Sequence, residues 1–426
     1  FNRGHVNLAK NELFLIENSL PMKLSLHIPV LKRKFFLTKT KIEKPIEEMT
    51  KNLDFAGLVL LKDPIRKDVK KAMGVCRKAG MRPIIVTGDH KLTAKAIAED
   101  LGFKVKEENI LEGTELDKMS DVELEKRLKK IQIYARVEPK HKMRIIEAWQ
   151  ERGEVVAMTG DGINDAPALK KADIGVALGS GTEVARETSD LILLNDSFSI
   201  IVAAIEEGRA ILDNIRKVIT YLLADAFTEI ILIAGSIVAG LPLPVTAVQI
   251  LWVNLANDGF PGIALAFEPK EKDLMKQKPQ GHDVPLLNRE MKTIIFIIGV
   301  VTDVILLGIL FWLMQQGHDL IYIRTMIFSM LAMATLFYVF SCKSLRKNIW
   351  ETNIFSNKYL IMGFLFGVLM MVSAVYFRPF QIHLKTTPLG LYDWILIFSL
   401  SVVKLVFIEI TKWYFITKDH TKQRKV

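Results

Sequence analysis

The sequence predicts a Rossmann-like α/β domain built on a parallel, doubly wound sheet, followed by an all-α bundle of six transmembrane helices. Three observations predict it. Strand-length apolar runs alternate with segments of helical spacing as far as about residue 197, the pattern of successive βα units. Beyond Val218, apolar stretches approach the ~20 residues needed to cross a bilayer. Between the two regimes lies Met158 to Leu169, read Met-Thr-Gly-Asp-Gly-Ile-Asn-Asp-Ala-Pro-Ala-Leu. It follows the run Val155–Val156–Ala157 and so falls at the carboxyl end of a strand, where open α/β sheets keep their ligand sites.

Three regions follow: 1–52, a remnant of another domain or a linker; 53–197, the sheet domain; and 198–426, a stalk with the membrane bundle. Half of the 426 residues are hydrophobic and 24% are charged, and the two classes are segregated along the chain. The formal charge of +10 could suggest nucleic acid, but much of the excess lies in loops and a tail beside apolar spans. A membrane surface explains that placement, so no nucleic-acid partner is expected. Cys76 and Cys342 read as reduced thiols, with no disulfide or metal framework. The chain opens on Phe1 without a signal peptide, which is expected of a fragment.

In the sheet domain Phe55–Leu61 is a continuous apolar run, as a sheet covered on both faces requires. A helix is expected from Asp68 to Lys78, a strand over Pro83–Val86 and a helix from Lys91 to Leu101. Ile131–Ala135 reads as a strand, Glu138 to Trp149 as a helix, and 154–158, Ile174–Ala177 and Leu191–Leu194 as further strands. Three strand ends then carry polar groups: Thr87-Gly88-Asp89, Arg136 with Lys142 beyond it, and the Asp161/Asp165 loop with Asn164. Hydroxyl, amide, lysine and carboxylates converging this way suit a phosphoryl group with Mg²⁺, the acids holding the metal and Lys142 neutralising developing charge. Each residue also has a plainer reading. Lys142 could be a solvated helix lysine, Arg136 a surface ion pair, Asp89 a helix N-cap, and His90 and His141 exposed.

Ser197 to about Gly240 has no internal proline and reads as one long helix, charged at first and apolar from Val218. Further spans are expected at 245–267, 291–314, 320–340, 359–377 and 391–416. Lys and Arg concentrate in 268–290, in the loop holding Lys343, Arg346, Lys347 and Lys358, and in the tail, which puts the sheet domain and the C-terminus in the cytoplasm. Asp225 and Glu229 share one face of the first span; Asn254, Asn257 and Asp258 share one face of the second. An acid at mid-membrane costs roughly 2.5–3.5 kcal/mol on insertion scales, which marks these residues as functional candidates. Gly259 and Pro261 should break the second helix and free carbonyls beside them. Together these oxygens suit a hard cation. Inter-helix hydrogen bonding by the asparagines is the plainer alternative, and Asp225 could instead lie near the interface. Thr302, Asp303 and Thr335 are weaker candidates, Asp303 as a structural polar contact.

With these residues in place, 53–426 resembles the C-terminal part of a P-type cation-transporting ATPase, of the calcium-pump-like branch. The strings that carry the resemblance are Leu61-Lys62-Asp63-Pro64-Ile65-Arg66, Thr87-Gly88-Asp89-His90, Ala135 to Lys142, Met158 to Pro167, and Leu251 to Gly259. The resemblance implies a haloacid-dehalogenase-like phosphorylation domain, ATP and Mg²⁺ as cofactors, and an aspartyl-phosphate intermediate. It places Asp161 as the Mg²⁺ ligand with Asp165 in support. Thr87, Gly88, Asp89, Arg136, Lys142 and Asn164 become nucleotide and phosphoryl contacts. Glu229, Asn254, Asn257 and Asp258 become ligands of a transported cation, Ca²⁺ first, within the lipid bilayer. The sequence departs from the family where no Asp-Lys-Thr-Gly occurs, so this chain alone is expected to be inactive and to need the missing N-terminal part of the pump. Ala226 and Thr335 stand where two-site calcium pumps carry an asparagine and an acid, and Asn257 where threonine is usual. A single-calcium stoichiometry, or sodium, potassium, proton or manganese instead, stays open. The alternative functions are a membrane-tethered phosphatase of the same fold and a non-catalytic membrane partner.

Overall fold

A computed structural model describes residues 65–279 and 285–423. The expected strand at 55–61 and the region 1–52 lie outside the described residues.

The α/β domain begins with α1 (Val69–Lys78), β1 (Ile85–Val86) and α2 (Lys91–Asp100). It continues through β2 (Ile110–Glu112), α3 (Gly113–Lys118), α4 (Asp121–Arg127), β3 (Ile133–Ala135) and α5 (Pro139–Gln150). The stretch holding β2, α3 and α4 had no assignment from sequence, because its short, charged helices show little apolar periodicity. β1, β3 and β2 form a parallel sheet in that order, Ile133 standing level with both Ile85 and Ile110. Successive β3 side chains point to opposite faces. Tyr134 joins Leu111, Leu116, Leu124 and Trp149 on one side, while Ile133 and Ala135 join Val69, Ala94, Ala98 and Phe103 on the other. Both faces are covered, hence the apolar runs.

A second parallel sheet holds β4 (Ala157–Gly160), β5 (Ile174–Leu178) and β6 (Leu191–Leu193) in that order, with α6 (Ala166–Lys171) and α7 (Glu183–Glu187) in its crossovers. The expected strand 154–158 is displaced toward Gly160, because Val156 pairs through its N–H with the Asp173 side chain (2.7 Å) ahead of the ladder.

From Ser197, whose hydroxyl caps the first turn, α8 runs unbroken over Phe198–Val238, 41 residues. Its root is fastened to the α/β domain. The Ser197 hydroxyl donates to Asp68 Oδ2 at 2.7 Å, and Arg209 donates to the carbonyls of Ala79 (3.0 Å), Leu274 and Gln277 (both 2.9 Å).

Helix is found at each of the six expected spans, and the second is broken, as its Gly259 and Pro261 predicted. Among the described residues five helices are long and apolar enough to cross a membrane: α8, α11 (Arg289–Gln315), α12 (Leu320–Ser341), α13 (Lys358–Tyr376) and α15 (Leu391–Gln423). The second expected span is divided into α9 (Ala247–Trp252), a π turn over Val253–Asp258, and α10 (Gly259–Ala266). Pro261 causes this: it has no N–H to give Asn257, four residues back, and its ring crowds that carbonyl. The interruption therefore falls upstream of Gly259-Phe260-Pro261, not after it. The loop expected at 377–390 also holds a short helix, α14 (Arg378–Leu384). α12 is the most enclosed of the spans and the centre of the membrane core, with Ile327, Phe328, Met330 and Leu336 fully buried.

Candidate functional site

The polar groups at the strand ends of the α/β domain assemble in two linked halves. After β1, the Thr87 N–H donates to Tyr134 O (2.9 Å) and the Asp89 N–H to Thr87 Oγ1 (3.1 Å). Backbone bonds from Arg136 to Asp89 (3.0 Å) and from Val137 to Thr87 (3.2 Å) hold the turn after β3 beside them. Arg136 takes a left-handed conformation, φ 49°, which turns the chain sharply and leaves its side chain exposed. Gly88 and Asp89 are exposed and Thr87 half-buried. Asp89 is not the helix cap: His90 holds that position, its Nδ1 accepting from the Leu92 N–H at 3.2 Å.

The second half is the loop after β4. Asp165, 8% exposed, accepts from the Asp161 and Gly162 N–H groups (both 3.3 Å) through one oxygen and pairs with Lys142 through the other. Gly160 is required here, because a Cβ on it would sit 2.6 Å from the Asp165 Cβ. The Asp161 carbonyl is taken by the Thr182 N–H (2.8 Å), while its side chain stands exposed beside exposed Asn164. The division of labour between the acids is then clear: Asp165 shapes the loop and holds Lys142, and Asp161 presents a free carboxylate. Lys142, on α5 directly after the β3 turn, is thus no solvated helix lysine but the link between the halves. His141 is not exposed as expected. It is buried, accepting from the Glu138 N–H through Nδ1 (3.0 Å) and meeting Asp117 Oδ1 through Nε2 at 2.9 Å. Asp117 is held below the usual carboxylate range by His141 and Lys140.

The membrane candidates gather where α8 crosses the π turn. Glu229 (9% exposed) accepts from the Asn254 amide through both oxygens, at 3.2 and 3.1 Å. Asn254 itself lies exposed on the flank of the bundle. Asp258 (2% exposed) accepts from the Tyr221 hydroxyl at 3.3 Å and faces the carboxyls of Asp225 and Glu229. Asp225 is buried within the bundle and accepts from Thr335 Oγ1 at 2.6 Å. Asn257 donates to Gly367 O on α13 at 3.3 Å. One oxygen each of Asp225 and Asn257, and both of Asp303, are buried without a hydrogen-bond partner. Tyr221 went unnoticed in the sequence, although it stands one helical turn before Asp225. Among the described residues no three His, Cys, Asp or Glu side chains converge tightly enough to chelate a metal unaided. The donor set here is instead mixed: three mutually facing acids, an amide and a π turn with displaced carbonyls. Like-charged carboxyls at ~4 Å repel by about 4 kcal/mol at an effective dielectric of 20, so such a group calls for a cation or protons among them.

Two family models match the chain, one on either side of α8. Residues 16–173 match haloacid dehalogenase-like hydrolases, and 242–414 match the family described as cation transporting ATPase, C-terminus. The sequence is 41% identical to a calcium-transporting ATPase of Bacillus subtilis strain 168 over 84% of this chain and 40% of that protein. It is 40% identical to calcium-transporting ATPase 1 of Bacillus cereus over 86% of this chain and 43% of that protein. It is 36% identical to calcium-transporting ATPase 1 of the yeast Schizosaccharomyces pombe over 86% and 42%. The chain spans about two fifths of the length of these relatives.

Proposed function

Because this chain carries the haloacid dehalogenase-like and C-terminal membrane portion of a P-type cation-transporting ATPase of the calcium-pump-like branch, we propose that it serves an ATP-driven calcium pump. The observation that carries the proposal is the buried pair Asp225 and Glu229 facing Asp258 of a broken helix, on the same unbroken α8 that roots in the α/β domain. The two ends of one rod bear the two chemistries that a pump must couple.

In the α/β domain, the exposed Asp161 carboxylate fits Mg²⁺, which takes one or two carboxylates and shares its other positions with water and phosphate. When bound, Mg²⁺ would neutralise charge on the transferring phosphoryl oxygens. Lys142, Thr87 and the amides around Gly88 would orient that group, and Asp89, Arg136 and Asn164 would reach the nucleotide. The phosphorylated aspartate is not among these residues, since no Asp-Lys-Thr-Gly occurs in the sequence, so this chain by itself should not turn over ATP. In the membrane, Glu229, Asn254 and Asp258 would hold the cation, with Asn257 beside them. The Lys/Arg-rich loops favour a cytoplasmic position for the α/β domain.

The test is ATP-driven uptake of calcium into vesicles by the complete protein that contains this chain. Uptake lost on Asp161→Asn is the expected result. ATP-dependent uptake of another cation, with none of calcium, would overturn the choice of ion, and no ATP-dependent uptake would overturn the pump.

A further inference from the structure

His141 has no part in the chemistry assigned above, yet it is buried, 3% exposed, between α3 and α5. Its ring is held at both ends. Nδ1 accepts from the Glu138 N–H at 3.0 Å and so carries no proton. The single proton of the neutral ring therefore sits on Nε2, which donates to Asp117 Oδ1 at 2.9 Å. Lys140 meets the same oxygen at 3.0 Å, and His141 and Lys140 together hold this carboxyl below its usual range. Glycine keeps the seat open for the ring: a Cβ on Gly113, the first residue of α3, would stand 3.0 Å from His141 Cε1.

The third position of a helix ordinarily carries Glu or Gln when it caps the N-terminal N–H. A glutamate here would serve that bond and suit the positive end of the helix. It could not donate to Asp117, and it would set a second negative charge beside it. A neutral imidazole accepts at one end and donates at the other, so it joins α3 to α5 as well as capping α5. The turn it fixes is the one from which Lys142 departs. Arg144 fastens the following turn, donating to Leu116 O and Met119 O, both at 2.5 Å. Side-chain tips lie about 5–6 Å from a helix axis, so a rotation of ~30° carries them about 3 Å, a whole hydrogen-bond length. Lys142 would then miss Asp165, its partner across the two sheets.

We propose that His141 is a positioning residue, a two-ended clasp from Glu138 to Asp117 that sets the direction in which Lys142 leaves α5. That this direction serves phosphoryl transfer rests on the pump reading above; the clasp itself does not.

Hydrogen–deuterium exchange on the full chain in lipid nanodiscs reads the clasp without ATP or calcium. His141→Glu keeps the cap and loses the donor, and should quicken exchange of 158–166 roughly tenfold, as for one lost hydrogen bond to a charged group. His141→Gln has both an acceptor and a donor and should stay within about threefold of the parent. Asp117→Ala, at a half-exposed position that leaves the cap intact, should match His141→Glu. On a Lys142→Ala background neither change should quicken the loop further. Parent-like exchange in both His141→Glu and Asp117→Ala overturns the inference. So does an equal effect with Lys142 removed, which a merely structural role would give. In the complete protein, His141→Glu should slow phosphorylation and His141→Gln should not. Quickened loop exchange with unaltered phosphorylation would uphold the clasp and overturn the phosphoryl role of Lys142.

Discussion

Removing the Asp165 carboxylate should release the loop that presents Asp161. In Asp165→Ala, Lys142 keeps its ammonium in a pocket where the pair's side chains are only 15% and 12% exposed, and the Asp161 and Gly162 N–H groups lose their acceptor. Breaking a fully buried pair costs about 3–5 kcal/mol, and the residual exposure here brings that down to about 2–3 kcal/mol. At 1.4 kcal/mol per decade, amide exchange of 158–166 should quicken by roughly 30- to 140-fold, measured by hydrogen–deuterium exchange on the full chain. Asp165→Asn keeps an acceptor for the two N–H groups but loses the charge, so it should fall between the two. Lys142→Ala combined with Asp165→Ala should cost less than the sum of the single changes. An exchange rate in Asp165→Ala within threefold of the parent would show that Gly160 and the β4 register hold the loop without the carboxylate.

Three further outcomes follow from other parts of the molecule. In the complete pump, Asp258→Ala should abolish calcium-dependent phosphorylation by ATP while phosphorylation by inorganic phosphate persists; unchanged calcium dependence would refute the membrane assignment. Gly363→Ala places a Cβ 3.2 Å from the backbone of Phe260 and Pro261, so α13 must retreat from the broken span. This should cost about 1–3 kcal/mol in thermal or denaturant unfolding, an overpacking effect that a neutral result would exclude. Glu107 is held at about 2 by Lys91 and Lys95, below its ordinary 4.5. Its contribution is therefore present above pH 4.5 and fades as pH falls toward 2, and Glu107→Gln should remove that slope from the acid unfolding curve.

What could be read from the sequence depended on whether the signal was local. β3, α5 and α8 carry their patterns within themselves, as a buried apolar run, a 3.6-residue stripe and an uninterrupted helix. The candidate residues of the α/β domain could be picked out because they cluster after strand ends. Their division of labour was not, because it rests on Lys142 meeting Asp165 across 23 residues and two different sheets. His141 was misplaced for the same reason: its burial needs Asp117 on α3, a helix with too little periodicity to be seen. The π turn was signalled by Pro261, but its position depends on which carbonyl the ring displaces, four residues upstream.

The length of α8 sets how finely a pump built on it would have to be controlled. Glu229 stands 31 residues beyond Phe198 along the axis, roughly 46 Å at ~1.5 Å per residue. A swing of only ~5° about the end fastened by Asp68 and Arg209 would carry that carboxylate sideways by about 4 Å. Calcium–oxygen bonds span only about 2.3–2.6 Å, so a tilt too small to disturb the packing of the α/β domain is enough to dismantle a coordination shell. In such a pump the lever arm would turn slight motions at the α/β end into all-or-none changes of grip in the membrane.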